Sequence, residues 1–291
     1  MIRIGKILLA MMLIYSLGVA VGCVGQSPKT ANDVMSKLID WQKTVRTYKY
    51  YLSTSSNTTI QKFPETPLSI TPSTSFYTHS LTEYGNIDVS NMHYSIHLPK
   101  NQSDNTSVLD FPPIPYDEYY QDGYWYLDFG SWTKIEEDYK DWDQLNTQIL
   151  FCNSSNTTIL GTTFIDGREY YVITLIPDSS NSLNWFNSHL DTLKYLAAFP
   201  GSDVINYPSK IIEENIYSSV KLWISKSDYS LLQAEIKMRH QTTTALEGSI
   251  YSTDNVTLDA SSFITFYDYN ADYSDLLPDV ARNANTQLPP F

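Results

Sequence analysis

Two dipeptides constrain this chain more than any other feature. Asp122-Gly123 and Asp166-Gly167 each sit between runs in which large apolar residues recur at every second position. Such pairs supply positive φ at low cost, and between alternating segments they predict tight two-residue hairpins and hence consecutive antiparallel strands. The periodicity elsewhere agrees. Candidate strands run over Tyr48–Thr59, Ser75–Glu83, Asn86–Leu98, Glu118–Gln121, Tyr124–Phe129, Thr158–Ile165, Glu169–Ile176, Ile211–Ser225, Ser230–Thr243, Gly248–Thr257 and Ser262–Tyr269.

Three segments break this pattern with helical spacing. Val34, Leu38, Trp41 and Val45 share one helix face, with Asn32 or Asp33 as the cap and an end near Arg46. Trp142, Leu145 and Ile149 suggest a helix over Tyr139–Phe151. A stronger one is expected over Ser182–Phe199, where Ser182 caps, Leu183, Phe186, Leu190, Leu193 and Leu196 keep step, and Pro200-Gly201 stops it. Phe63–Pro72 and Asn101–Pro115, both proline-rich, read as loops. No fixed repeat and no linker divides the chain, so residues 31–291 are expected to form a single domain.

The N-terminus reads as an export signal over residues 1–22. Arg3 and Lys6 precede an apolar stretch, Ile7–Val21, then Gly22 and Cys23. Ala20-Val21-Gly22-Cys23 resembles the lipobox of prokaryotic lipoproteins, with Ala20 where Leu is usual. The resemblance implies acylation of Cys23, residues 23–30 as a tether, and anchorage to the outer face of the cell membrane. The other reading is an ordinary leader cut near Gly22 with an incidental cysteine. Removing the leader leaves 17 basic against 32 acidic residues, a net charge of −15. That balance opposes binding to nucleic acid or to anionic headgroups. Cys152, the one cysteine left, cannot form an internal disulfide and reads as a buried apolar residue. Sequons at Asn57, Asn101, Asn105, Asn153, Asn156 and Asn255 mark candidate glycosylation sites, most of them in polar stretches that read as turns. Lipobox and surface glycans together suggest an archaeal envelope protein.

Catalytic signatures are missing from the sequence. There is no nucleophile elbow, no phosphate loop, no His-Glu-x-x-His and no paired-cysteine metal site. His93 and His97 have the spacing of helical zinc ligands, but on a strand they stand ~13 Å apart and read as two surface histidines on one strand face. Acidic pairs such as Glu136-Glu137 read as solvated helix starts. No enzyme activity, cofactor or metal is therefore expected. What the chain does have is 23 Tyr, 11 Phe and 6 Trp, densest over Tyr119–Trp132. Alternation there sends Tyr124, Tyr126 and Asp128 to one face and Trp125, Leu127 and Phe129 to the other. Both faces are thus partly apolar, as in a sheet wrapped around an apolar cavity.

Three pieces in order, YYQDGYWYLDFGSWTKIEE, GTTFIDGREYYVITLIP and VKLWISKSDYSLLQAEIKMR, resemble the lipoprotein-carrier superfamily that includes LolA, LolB and the mycobacterial LppX-type lipoproteins. The matching positions are Asp122–Trp132, Gly167–Pro177 and Val220–Leu232, and the likeness spans most of residues 31–270. It implies an α+β fold, a strongly curved antiparallel sheet forming an unclosed half-barrel with helices packed on its concave face. It also implies binding or transport of an apolar ligand, an acyl chain or lipid, by a non-enzymatic envelope protein. Trp125, Tyr126, Trp132, Tyr171 and Trp223 are the candidates for lining or rimming the cavity, with plain core packing the alternative at each. The competing function is a structural or sensory envelope module with a filled core that works through protein contacts.

Overall fold

The computed structural model describes residues 30–62, 73–99, 117–128, 130–136, 145, 156–177, 209–246, 253–273, 277–284 and 286–287. The leader, Cys23, Cys152, the Ser182–Phe199 helix and all but Leu145 of the Tyr139–Phe151 helix lie outside them. Among the described residues no helix is long and apolar enough to cross a membrane.

The chain opens with α1, Ala31–Gln42. Its cap is Thr30 rather than the expected Asn32 or Asp33. Thr30 Oγ1 accepts from the Asp33 N–H at 3.2 Å, and the Asp33 carboxylate accepts from the Thr30 N–H at 3.0 Å. This reciprocal pair satisfies two orphan donors at once, and a single-residue cap at Asn32 or Asp33 would not. The helix stops short of Arg46 because Thr44 and Val45 donate to the Trp41 and Gln42 carbonyls in a turn, and Arg46 is taken up by tertiary bonds. Arg46 N–H donates to Asn270 Oδ1 at 2.7 Å, and the Arg46 carbonyl accepts from the Val89 N–H at 2.8 Å.

Twelve strands follow: β1 Thr47–Lys62, β2 Ser73–Asp88, β3 His93–His97, β4 Asp117–Gln121, β5 Tyr124–Asp128, β6 Trp132–Glu136, β7 Asn156–Ile165, β8 Arg168–Ile176, β9 Ser209–Ser225, β10 Leu231–Leu246, β11 Thr253–Tyr267 and β12 Thr286–Gln287. A short C-terminal helix, α2 (Asp279–Arg282), precedes the last. The strands make one sheet in the order β12-β6-β5-β4-β3-β2-β1-β11-β10-β9-β8-β7. Its ends do not meet, so it is an unclosed half-barrel. The described pairings are antiparallel apart from β12, which runs parallel to β6.

Both Asp-Gly hairpins form as expected, with Asp122 and Gly123 at φ 56° and 83° and Asp166 and Gly167 at 48° and 76°. Two expected breaks do not occur. Ser75–Glu83 and the start of Asn86–Leu98 are one strand, β2, with the turn moved to residues 89–92. Gly85 marks a close approach rather than an end: a Cβ there would stand 2.5 Å from Tyr50 Cε1 and 2.7 Å from the Ser95 carbonyl oxygen. Likewise β11 is continuous through Asp259-Ala260-Ser261, because it is paired on both sides, with β1 and with β10. Local polarity suggested turns there, but two flanking ladders override it.

The main core lies on one face, called inner here. Val34, Met35 and Leu38 of α1 pack on Tyr48, Tyr50 and Leu52 of β1, Ile87 of β2, Tyr94 of β3, Ile173 and Leu175 of β8, Leu222 and Ile224 of β9 and Phe266 of β11. Each buried side chain of this size contributes about 1.5–3 kcal/mol. Leu145 is buried in the same cluster, and its N–H donates to Tyr48 Oη at 3.1 Å.

Candidate functional site

The inner face changes character along the long central strands. Register places Tyr50 beside Gly85, Leu52 beside Glu83, and Thr54, Ser56 and Thr58 successively farther from α1. Near the helix the face is apolar. In the middle it carries two carboxyls, each held by a tyrosine: Tyr50 Oη donates to Glu83 Oε1 at 2.9 Å, and Tyr94 Oη donates to Glu118 Oε1 at 2.8 Å. Glu83 is buried, and the loss of solvation raises its pKa from an ordinary 4.5 to about 7, against the opposing pull of the Tyr50 bond. Burial and the neighbouring Glu83 push the Tyr50 hydroxyl well above its usual range. Gly85 makes this arrangement possible, since only a residue without Cβ leaves room for the Tyr50 ring.

Beyond the carboxyls a strip of the inner face on β1 and β11 carries small and hydroxylated side chains, flanked by the larger Ile60, Leu258 and Met238. Thr54, Ser56 and Thr58 are all buried. Across the ladders Thr54 meets Ser262, Ser56 meets Ala260, and Ala260 meets Met238. Thr54 Oγ1 and Ser262 Oγ lie 3.0 Å apart, and Thr242 Oγ1 and His240 Nε2 3.1 Å apart, as bonded pairs.

The outer face is furnished differently. Rings step across it from Tyr84 to His97 (5.1 Å, stacked), His97 to Tyr119 (5.5 Å) and Tyr119 to Trp132 (5.9 Å). Leu277 and Ala281 close over Tyr119 and Tyr126, a second and smaller core. Farther along, Tyr51, Phe263 and Tyr267 are exposed.

The five cavity candidates divide between these faces. Trp125 and Tyr171 belong to the inner cluster. Tyr126 and Trp132 belong to the outer one, because Tyr126 pairs across the hairpin with Tyr119 and Lys134 while Trp125 pairs with Tyr120 and Ile135. Trp223 also points outward. It alternates with the buried Leu222 and Ile224 and meets Phe263 edge-on at 6.0 Å, with Lys221 Nζ 4.8 Å above its ring. Residues of opposite parity on one strand cannot line the same cavity, and this corrects the grouping of the five.

The histidines of β3 are not simple surface residues either. His97 Nδ1 lies 2.7 Å from Asp117 Oδ1, with the His97 side chain 12% exposed, and His93 Nε2 lies 3.6 Å from Asp122 Oδ1. Three sequons fall within the described residues, and all lie on strands, not in turns: Asn57 in β1, Asn156 in β7 and Asn255 in β11. Asn57 and Asn156 are exposed and Asn255 half-buried. Alternate polar positions of a long strand read like a polar turn when only sequence is considered. Asn101, Asn105 and Asn153 lie outside the described residues.

No protein-family model and no curated protein matches this sequence. Among solved structures it is similar to the lipoprotein LppX of Mycobacterium tuberculosis, with 14% identity over 84% of this chain and 97% of that one at a TM-score of 0.42. LprF from Mycobacterium bovis is 12% identical over 86% of this chain and 97% of its own, at 0.44. A lipoprotein-sorting protein domain from Vibrio parahaemolyticus is 11% identical over 87% and 98%, at 0.22. The sheet itself is the unclosed half-barrel expected from the sequence.

Within that layout the residues that most distinguish the inner face, Glu83 and the Thr54–Thr58 run, were not singled out by sequence. A carboxylate in an alternating strand looks solvent-facing, and a Thr/Ser run looks like a polar edge. The available signal was phase: counted in steps of two from Tyr48 and Tyr50, Thr54, Ser56 and Thr58 share the face of the core tyrosines. A shallow cleft lined by Thr47, Asn86, Asp268 and Tyr273 at the strand ends is too small for an acyl chain.

Proposed function

We propose that this chain is an exported lipoprotein, acylated on Cys23 and held at the outer face of the cell membrane, whose half-barrel binds or carries an apolar ligand, a lipid, without catalysing a reaction. The observation that carries the reading is the make-up of the inner face. An unclosed sheet with α1 on it presents a buried surface on which large apolar side chains give way, in a strip on β1 and β11, to the small Thr54, Ser56, Ala260 and Ser262. A face designed only for packing would fill that strip with large residues too. A ligand chain lying there would gain about 0.8 kcal/mol per buried methylene, so a long acyl chain needs no charged anchor to bind tightly. The acidic surface suits a solvated position outside the cell, and Asn57 and Asn156, exposed on their strands, are open to glycan attachment.

Native mass spectrometry of the mature protein before and after organic extraction tests this. A co-purified apolar molecule that extraction removes is the expected result, together with a diacylated Cys23 at the N-terminus. A clean apo mass with no binding of fluorescent fatty-acid probes would overturn the carrier role. In that case the structural or sensory module gains, for which the exposed outer-face rings Tyr51, Tyr84, Phe263 and Tyr267 are the specific observation.

A further inference from the structure

Two hydroxyls on the inner face have no hydrogen-bond partner. Ser56 Oγ and Thr58 Oγ1 are both sealed from solvent, in residues only 4% and 1% exposed, and neither donates to nor accepts from any group. Leaving a buried hydroxyl unmatched is costly, and a fold normally avoids it by apolar replacement or by a bonded neighbour. Neighbouring residues show that pairing is available here, since Thr54 is matched to Ser262 and Thr242 to His240. The unmatched pair also borders the thinnest part of the face. Across the sheet from Ser56 stands Ala260, itself half-buried, and beside that pair stand Thr54 and Ser262. These four small side chains on two adjacent strands stand between the larger Leu52 and Ile264 on one side and Leu258 on the other.

Resting on the reading of the half-barrel as a lipid binder, we infer that Ser56 and Thr58 form a seat for the oxygen-bearing group of an uncharged amphiphile, an ester or alcohol, whose hydrocarbon part lies along the same strip of the inner face and not in the packed core beneath α1. The two hydroxyls alternate on one strand and so stand ~7 Å apart, which suits a group carrying more than one oxygen, such as an acylated polyol, better than a single hydroxyl. The charge pattern excludes an anionic head. The ladder positions in register with Thr54, Ser56 and Thr58 on β2, β11, β10 and β9 include no Lys or Arg; the histidines among them are His79 and His240, and Glu83 stands one step closer to α1. A carboxylate or phosphate seated there would be buried beside Glu83 with no Lys or Arg at the described ladder positions, whereas an ester or hydroxyl needs only the two hydroxyls.

The test uses the full mature chain and chain-matched competitors, a monoacylglycerol, a fatty acid and an alkane, displacing a fluorescent apolar probe. The wild type should bind the monoacylglycerol roughly tenfold more tightly than the alkane and the fatty acid. Ser56→Ala with Thr58→Val should abolish that preference while leaving alkane affinity within about twofold, since both replacements keep shape and remove only hydroxyls. Ser56→Ala alone, the milder change, should reduce it part-way. A double variant that keeps the preference, or a wild type that binds alkane and monoacylglycerol equally, overturns the hydroxyl seat and leaves the carrier reading standing. If no competitor and no probe binds the wild type, the carrier reading itself falls and takes the seat with it.

Discussion

The two faces of this sheet handle polar groups in opposite ways. On the outer face polarity is paired in the open: Arg239 meets Asp259 with bonds of 2.6 and 3.0 Å, and Lys49 and Lys237 each meet a carboxylate within 3.0 Å. On the inner face polarity is buried at Glu83, where Tyr50 holds the carboxyl, and unmatched at Ser56 and Thr58. Exposed pairs add little to stability and are easily replaced. Buried, under-matched groups subtract from it, and their presence on one face only points to a role other than folding.

Three substitutions sharpen this contrast, in descending size. Gly85→Ala forces a methyl group into the Tyr50 ring and the Ser95 carbonyl, and backbone on one side cannot yield. It should destabilise the protein by about 3 kcal/mol in denaturant titration. A loss below about 1 kcal/mol would mean that the Tyr50–Glu83 contact is loose.

Glu83→Gln is expected to act in the other direction. The folded-state pKa of Glu83 lies above its unfolded value, near 7 against 4.5, so the folded protein holds a proton that the unfolded chain has released across that interval. Stability from this group is therefore full below about pH 4.5 and declines as pH rises to about 7, by about 3 kcal/mol in all. The amide, neutral throughout, still accepts from Tyr50 and should raise the melting temperature at about pH 8 while leaving it nearly unchanged at about pH 4. Equal melting temperatures for the two proteins at both pH values would show that Glu83 is solvated after all.

Arg239→Ala removes an exposed outer-face pair and should shift the melting temperature within the scatter of replicate scans, at low and high salt alike. A clear loss would break the contrast by showing that outer pairing is structural.

Much of the fold was legible beforehand. The Asp-Gly hairpins are chemical instructions, because few residues tolerate positive φ in succession, and the α1 stripe of Val34 and Leu38 is a local period. The expected half-barrel was implied by the resemblance of three segments, in their order, to the lipoprotein-carrier superfamily. The site was less legible. Trp125 and Tyr126 were equally conspicuous, and only the β4–β5–β6 register divides them between faces. Gly85 looked like a strand break, because sequence shows the missing side chain and not the Tyr50 ring that occupies its place.

By itself the sequence determined the alternation, the two Asp-Gly turns and the apolar stripe of α1, all relations between residues a few positions apart whose geometry the backbone dictates. Only the tertiary structure decided which phase of each strand is inner. That choice depends on β1 pairing with β11, some two hundred positions away, so that Tyr50 faces Phe266 in register and Thr54 faces Ser262. Burial of Glu83 and isolation of the Ser56 and Thr58 hydroxyls follow from that pairing. A side chain's solvation is set by what the fold brings above it, and no local pattern encodes that.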